Sequence, residues 1–149
     1  SHDGYADRFR VVHQRALKLS RDGSRLDGED LFVSTDGDMI PQNVADEFAV
    51  RFHLHPTVKA NKLTDGHGAM LMLPNREVWT FNAYEDRVEI EESVYLSGSD
   101  GPRRAVQMVI YGRARKIPRV HWSLALANAQ GSGGTRRRGE EPQLPLAAP

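Results

Sequence analysis

Glu47-Phe48-Ala49-Val50-Arg51-Phe52-His53-Leu54-His55-Pro56 alternates without a break. Phe48, Val50, Phe52 and Leu54 fall on one side, and Ala49, Arg51, His53 and His55 on the other. A period of two is that of a strand with one buried face. Pro56 ends the run, because proline offers no N–H to a ladder. The polar face carries one Arg and two His. The best core strand is therefore also the best candidate for a functional surface.

Upstream, residues 8–20 read RFRVVHQRALKLS. Phe9, Val11, Leu17 and Leu19 share one parity, and His13 and Arg15 fall on it too, so the spacing predicts a bend or bulge near residues 12–14. Asp22-Gly23 between two alternating runs is a hairpin signal. The next run, residues 25–33, offers Leu26, Leu31 and Phe32 to a core. Residues 34–45 hold Asp36-Gly37-Asp38, Pro41 and Asn43 and read as a loop, long for a compact domain. Downstream, strands are expected over residues 57–64, 69–73, 77–83, 87–96, 103–111 and 117–126, with Gly, Pro, Asn and Asp between them. About nine or ten short strands at spacings of roughly 8–12 residues predict an all-β fold, an antiparallel β-sandwich or barrel, and we take the sandwich. Beyond Asn128 the composition turns to Gly131-Ser132-Gly133-Gly134, Arg136-Arg137-Arg138 and a Pro/Ala-rich end. That predicts a sandwich domain over residues 1–128 and a flexible tail over 129–149.

Composition bounds the chemistry. The chain has 149 residues, 39% hydrophobic and 27% charged, with formal net charge zero and a pI of about 7.0. The length suffices for one domain with a real core. Without cysteine there is no disulfide, no cysteine-bound zinc or iron–sulfur site and no thiol nucleophile. A chain with no basic surplus is not expected to bind nucleic acid non-specifically. No apolar run approaches the roughly 20 residues of a membrane span, so membrane insertion is not expected. No signal peptide is visible. The chain begins Ser1-His2-Asp3-Gly4-Tyr5 without an initiator Met, and we expect it to be a piece of a longer protein.

Three constellations carry possible chemistry. His53 and His55, at i and i+2, suit a shared metal ion, with His13, His67, His121 or a carboxylate as further ligand. They equally suit a polar face that hydrogen-bonds its imidazoles, or a surface that meets sugar. Arg8, Arg10, His13 and Arg15 crowd the first strand, and Arg51 lies on the central one; an arginine fork matches a carboxylate or sulfate. The competing reading pairs these arginines with Asp27, Glu29 or Asp30. Trp79, Phe81, Tyr84, Tyr95 and Trp122 are expected mainly in the core, with stacking on sugar rings as the alternative. Glu85, Asp86, Glu89, Glu91 and Glu92 form an acidic run whose alternation with Val88 and Ile90 reads as a solvated strand face rather than a paired-carboxylate site. Arg136-Arg137-Arg138 and Glu140-Glu141 read as a solubilising charge run, and Gln143-Leu144-Pro145-Leu146 as a short docking peptide. No Gly-rich phosphate loop and no Gly-x-Ser-x-Gly elbow is present.

Five stretches in order carry a resemblance. They are Ser1-His2-Asp3-Gly4-Tyr5; Arg8-Phe9-Arg10-Val11-Val12-His13-Gln14-Arg15; Leu26-Asp27-Gly28-Glu29-Asp30; the organising strand through Pro56; and Glu92-Ser93-Val94-Tyr95-Leu96. Together, over residues 1–126, they resemble the C-terminal part of bacterial heparinase II/III-like proteins. The resemblance implies a β-sandwich that follows an N-terminal α/α toroid domain, its expected partner in the parent chain. It implies a polysaccharide lyase that cleaves uronic-acid polymers by β-elimination, with a Tyr/His pair and a neutralised carboxylate lying mainly in the toroid. Neither that set nor the family's His/Asp metal site matches residues here, so no catalytic residue and no metal or cofactor is assigned. The segment is expected to support the substrate cleft and to be inactive alone, with a non-catalytic carbohydrate-binding or structural module as the alternative. An acidic polysaccharide is the expected partner, and Arg51, His53, His55, His13 and Arg15 are the expected substrate contacts. The resemblance also suggests the periplasm or cell envelope. It further implies a missing start of the sandwich, which would leave an unpaired sheet edge that invites self-association.

Overall fold

The computed structural model describes residue 1 and residues 3–36, 40–96 and 101–127. The expected tail over 129–149, with its Arg run and its Leu-Pro-Leu segment, lies outside the described residues, as do positions 37–39 and 97–100. Among the described residues one helical turn, α1 (Ala6–Phe9), precedes nine strands. They are β1 (Val11–Leu19), β2 (Arg25–Ser34), β3 (Glu47–His53), β4 (Lys59–Lys62), β5 (Gly68–Met72), β6 (Val78–Asn82), β7 (Val88–Leu96), β8 (Pro102–Arg113) and β9 (Arg119–Leu126). They form two antiparallel sheets, one of six strands in the order β1-β2-β9-β6-β5-β4 and one of three in the order β3-β8-β7. The expected antiparallel β-sandwich is the observed architecture.

The turn residues act where the sequence placed them. Between β1 and β2, Gly23 takes φ 72, where a side chain would strain the backbone. The Asp22 carboxylate accepts from Ser20 Oγ at 2.7 Å, Ser24 Oγ at 2.8 Å and Ser24 N at 3.1 Å. These bonds, Ser20's first, hold its pKa down at about 2. The hairpin then runs in one register from Val11↔Ser34 to Leu19↔Leu26.

Two expectations about the first strand are corrected. Residues 6–9 form a helical turn, closed by Phe9 N to Tyr5 O at 2.9 Å and ended by Arg10 in the left-handed region at φ 56. There is also no bulge at residues 12–14, since the register is unbroken. His13 and Arg15 share the parity of Val11 because their side chains turn toward the other sheet. A third correction concerns β3, which is an edge strand of the small sheet and not central. Alternation reports a buried face and says nothing about how many neighbours a strand has.

The core lies between the layers. Phe81, Val88, Ile110 and Val120 are fully buried, with Val50, Leu71, Met108 and Trp122 beside them. Phe52 of β3 meets Phe81 at 4.8 Å and Trp122 at 4.9 Å between ring centroids. Two glycines permit this closeness. Gly28 stands opposite Trp122 in the β2–β9 ladder, and a Cβ there would lie 2.1 Å from Trp122 Cζ2. Gly112 stands opposite Phe48, whose Cζ would lie 2.3 Å from its Cβ. Gly28→Ala must displace a ring wedged by Phe52 and Phe81, and overpacking of this kind costs about 1–3 kcal/mol. The expected outcome is a lower urea midpoint with an unchanged m-value.

Candidate functional site

A three-stranded sheet covers only part of a six-stranded one, and the mismatch opens a cleft where edge strand β1 faces edge strand β3. The cleft has a volume of about 340 Å³. Val11, Phe32, Phe48 and Ala114 give it apolar walls, His13 and Arg15 bring nitrogen to it, and Arg51 lies at its rim. Phe32 of β2 stacks on Phe48 of β3 at 4.1 Å and on His13 at 5.1 Å, so aromatic contact bridges the two sheets at this point.

Beside the cleft sits Asp30, whose side chain is 0% exposed. An isolated carboxylate in such a place costs several kcal/mol of lost hydration. Four donors meet it here. Arg15 Nε reaches Oδ1 at 2.7 Å and Nη2 reaches Oδ2 at 3.0 Å, the bidentate fork. Trp122 Nε1–H donates to Oδ2 at 2.9 Å, and His13 Nε2 lies 2.6 Å from Oδ1. Burial pushes the Asp30 carboxyl up, but the bonds from Arg15, Trp122 and His13 outweigh it and hold the group below the ordinary range. An ionised carboxylate only accepts, so His13 Nε2 carries the proton of that bond. Arg15 also lies over the Phe52 ring at 5.5 Å and the Trp122 ring at 5.8 Å.

The other expected contacts sit elsewhere. Arg51 points from the outer face of β3, where Nη1 donates to Glu91 at 3.2 Å and the guanidinium lies 5.8 Å from the Tyr111 ring. Glu91 also accepts from the Tyr111 hydroxyl and from Gln107 Nε2 at 3.1 Å. The Tyr111 bond, then those of Gln107 and Arg51, lowers the Glu91 pKa against a smaller effect of desolvation. His53 Nδ1 meets Ser93 Oγ at 3.0 Å, whereas His55 Nδ1 meets Thr57 Oγ1 at 2.7 Å and packs edge-on to Tyr95. The two imidazoles thus have separate partners. Among the described residues no group of three or more His, Asp or Glu side chains converges as a metal site.

The structure therefore brings His13 and Arg15 together on one carboxylate and adds Arg51 at the rim of the same cleft, while His53 and His55 do not line it. Sequence reading offered Asp30 only as one of several partners for the arginines. The sharper signal was present: His13 and Arg15 on an apolar parity imply a buried anion across the strand. Arg15 and Asp30 are directly opposed in the β1–β2 ladder.

The molecule is thus a β-sandwich domain with an inter-sheet cleft beside a buried, fully hydrogen-bonded aspartate. The family model described as "Heparinase II/III-like, C-terminal" matches residues 1–123, and the chain belongs to that family. It is also similar to "FtsZ-localized protein C" of Caulobacter vibrioides (strain NA1000 / CB15N), at 30% identity over 132 residues. That match covers 85% of this chain and 22% of the relative, so the chain spans about a fifth of the relative's length. No solved structure matches the chain.

Asp30→Asn removes the charge while Arg15 and His13 remain, and breaking a buried pair in this way costs about 3–5 kcal/mol. Because the native pKa lies below the ordinary 3.8, the carboxylate contributes stability that is present above that value. That contribution is lost as pH falls through the depressed native value. Urea midpoints measured from neutral pH down into this acid range are expected to fall steeply for the wild type and less steeply for Asp30→Asn.

Proposed function

We propose that this chain is the C-terminal β-sandwich portion of a heparinase II/III-like polysaccharide lyase that β-eliminates uronic-acid-containing polysaccharide. In this reading it is inactive alone, and it supports the substrate cleft of a parent chain that carries an α/α toroid. The observation that carries a supporting role is the commitment of His13 and Arg15 to Asp30. Groups locked into a buried ion pair hold the cleft wall in shape. Arg15 Nη1 stands outside the two bonds to Asp30, and Arg51 lies at the rim of the same cleft. The Arg15 guanidinium, with His13, supplies the contacts for an acidic saccharide at the sheet seam, and Arg51 offers a further cation from the outer face of the adjoining edge strand.

A second reading draws on the 30% identity to a protein named as FtsZ-localized. In it, the sandwich is a non-catalytic binding or structural module of a protein that accompanies FtsZ. Two measurements divide the readings. A lyase assay on the parent protein follows the absorbance of the unsaturated uronate product; activity on a uronic-acid polymer supports the first. Absence of activity on every such polymer, with a fluorescent fusion that tracks FtsZ, supports the second. Titration of this chain with uronic-acid oligosaccharides is expected to change Trp122 fluorescence, through the indole that holds Asp30. Arg51→Ala and His13→Gln are each expected to weaken that binding by about tenfold or more, the worth of one hydrogen bond to a charged group. A Trp122 signal that no oligosaccharide moves would remove the saccharide contact.

A further inference from the structure

The two sheets end in four edge strands: β1 and β4 on the large sheet, β3 and β7 on the small one. An edge strand carries unpaired N–H and C=O groups, and proteins blunt such edges with charge, brevity or cover. Three of the four are blunted against their own kind. β4 has four residues, two of them lysines. β7 carries Glu89, Glu91 and Glu92 and no cation. β1 carries Arg15 and Lys18 and no acid. A second copy pairing on β7 would crowd carboxylates together, and β1 and β4 offer cations with no acid on the same strand to meet them.

β3 differs. Leu54 N–H donates to Val106 O at 3.0 Å, and Ala114 N–H to Asp46 O at 2.8 Å. Hydrogen-bonded and non-bonded pairs alternate along an antiparallel ladder. The even-numbered residues of β3 therefore direct their backbone groups at β8, and Glu47, Ala49, Arg51 and His53 direct theirs away from it. Among the described residues no strand takes these groups. All four of these residues are exposed.

We propose that β3 is a self-complementary edge that pairs antiparallel with β3 of a second copy of this chain, about a two-fold axis through Ala49. That register follows from parity and charge together. Residues with outward backbone groups must pair with one another, so odd faces odd. Centring on Ala49 sets Glu47 of each copy opposite Arg51 of the other, twice by symmetry. The small Ala49 side chains meet at the axis, and on the inner face Phe48 stands opposite Val50 of the second copy. Glu47 already pairs with Arg113 across the β3–β8 ladder at 2.8 Å. Charge then alternates along the row: Arg113, Glu47, and Arg51 of the second copy. The two small sheets become one continuous sheet of six strands.

Sedimentation equilibrium of the 149-residue chain tests this. The wild type is expected at twice 16.7 kDa. Arg51→Glu and Glu47→Arg each turn two cross-strand attractions into repulsions and are each expected to raise the dissociation constant about tenfold or more. The double variant restores opposite charges and is expected to dimerise again. An equimolar mixture of the two single variants is expected to form the mixed dimer. Circular dichroism of the variants is expected to match the wild type, because both side chains are exposed. Hydrogen exchange at the Ala49 amide is expected to slow as concentration rises. Three results would each overturn the proposal: a wild-type chain that stays monomeric at every concentration, a dimer indifferent to both single reversals, or Ala49 protection independent of concentration, which would mean that the edge is taken within one chain.

Discussion

One buried carboxylate sets the terms for the open end of this sandwich. Asp30 is fully enclosed on β2, and its charge is held by donors from the two strands that flank it: Arg15 and His13 on β1 and Trp122 on β9. Each donor thereby gains a fixed position. The Trp122 indole is turned so that its ring crosses Gly28 and packs on Phe52 of the opposite sheet. Arg15 is laid across the same two rings. His13 is set against Phe32, which stacks on Phe48. The ion pair, the inter-sheet aromatic packing and the cleft wall are one connected arrangement, and a buried charge is tolerable because the whole arrangement satisfies it.

This coupling bears on function. A cationic pair free to meet substrate would have its donors turned outward, whereas here most of them are turned inward. The Arg15 guanidinium still reaches the seam between the sheets, beside apolar walls. The outer face of the small sheet is organised differently. Arg51, Glu91, Tyr111 and Gln107 form an exposed network there, in which screening by solvent keeps each pair weak. The chain that carries both arrangements belongs to the heparinase II/III-like C-terminal family.

Much of the fold was legible because period-two alternation reports which face is buried, and turn residues report where strands stop. The run through Phe48, Val50 and Phe52 gave its inner face correctly, and Asp22-Gly23 gave the hairpin. The helical turn at residues 6–9 was not legible, because four residues are too few for a helical period to show. The supposed bulge arose from treating His13 and Arg15 as out of place on an apolar parity. They were in place, and the missing element was the anion that neutralises them. The partners of His53 and His55 were equally hidden, since Ser93 lies forty residues from His53 and meets it only across the small sheet.

Alternation and turn chemistry by themselves determined an all-β antiparallel chain, its strand order along the sequence and the faces that meet in the core. These are local properties, fixed by pleat geometry and backbone hydrogen bonding within a few residues. The tertiary structure alone decided that six strands lie over three, that β3 is an edge, and that Asp30 joins three strands. Those depend on which strands become neighbours, and neighbours far apart in sequence are chosen by packing and by the need to satisfy a buried charge, not by any pattern within one strand.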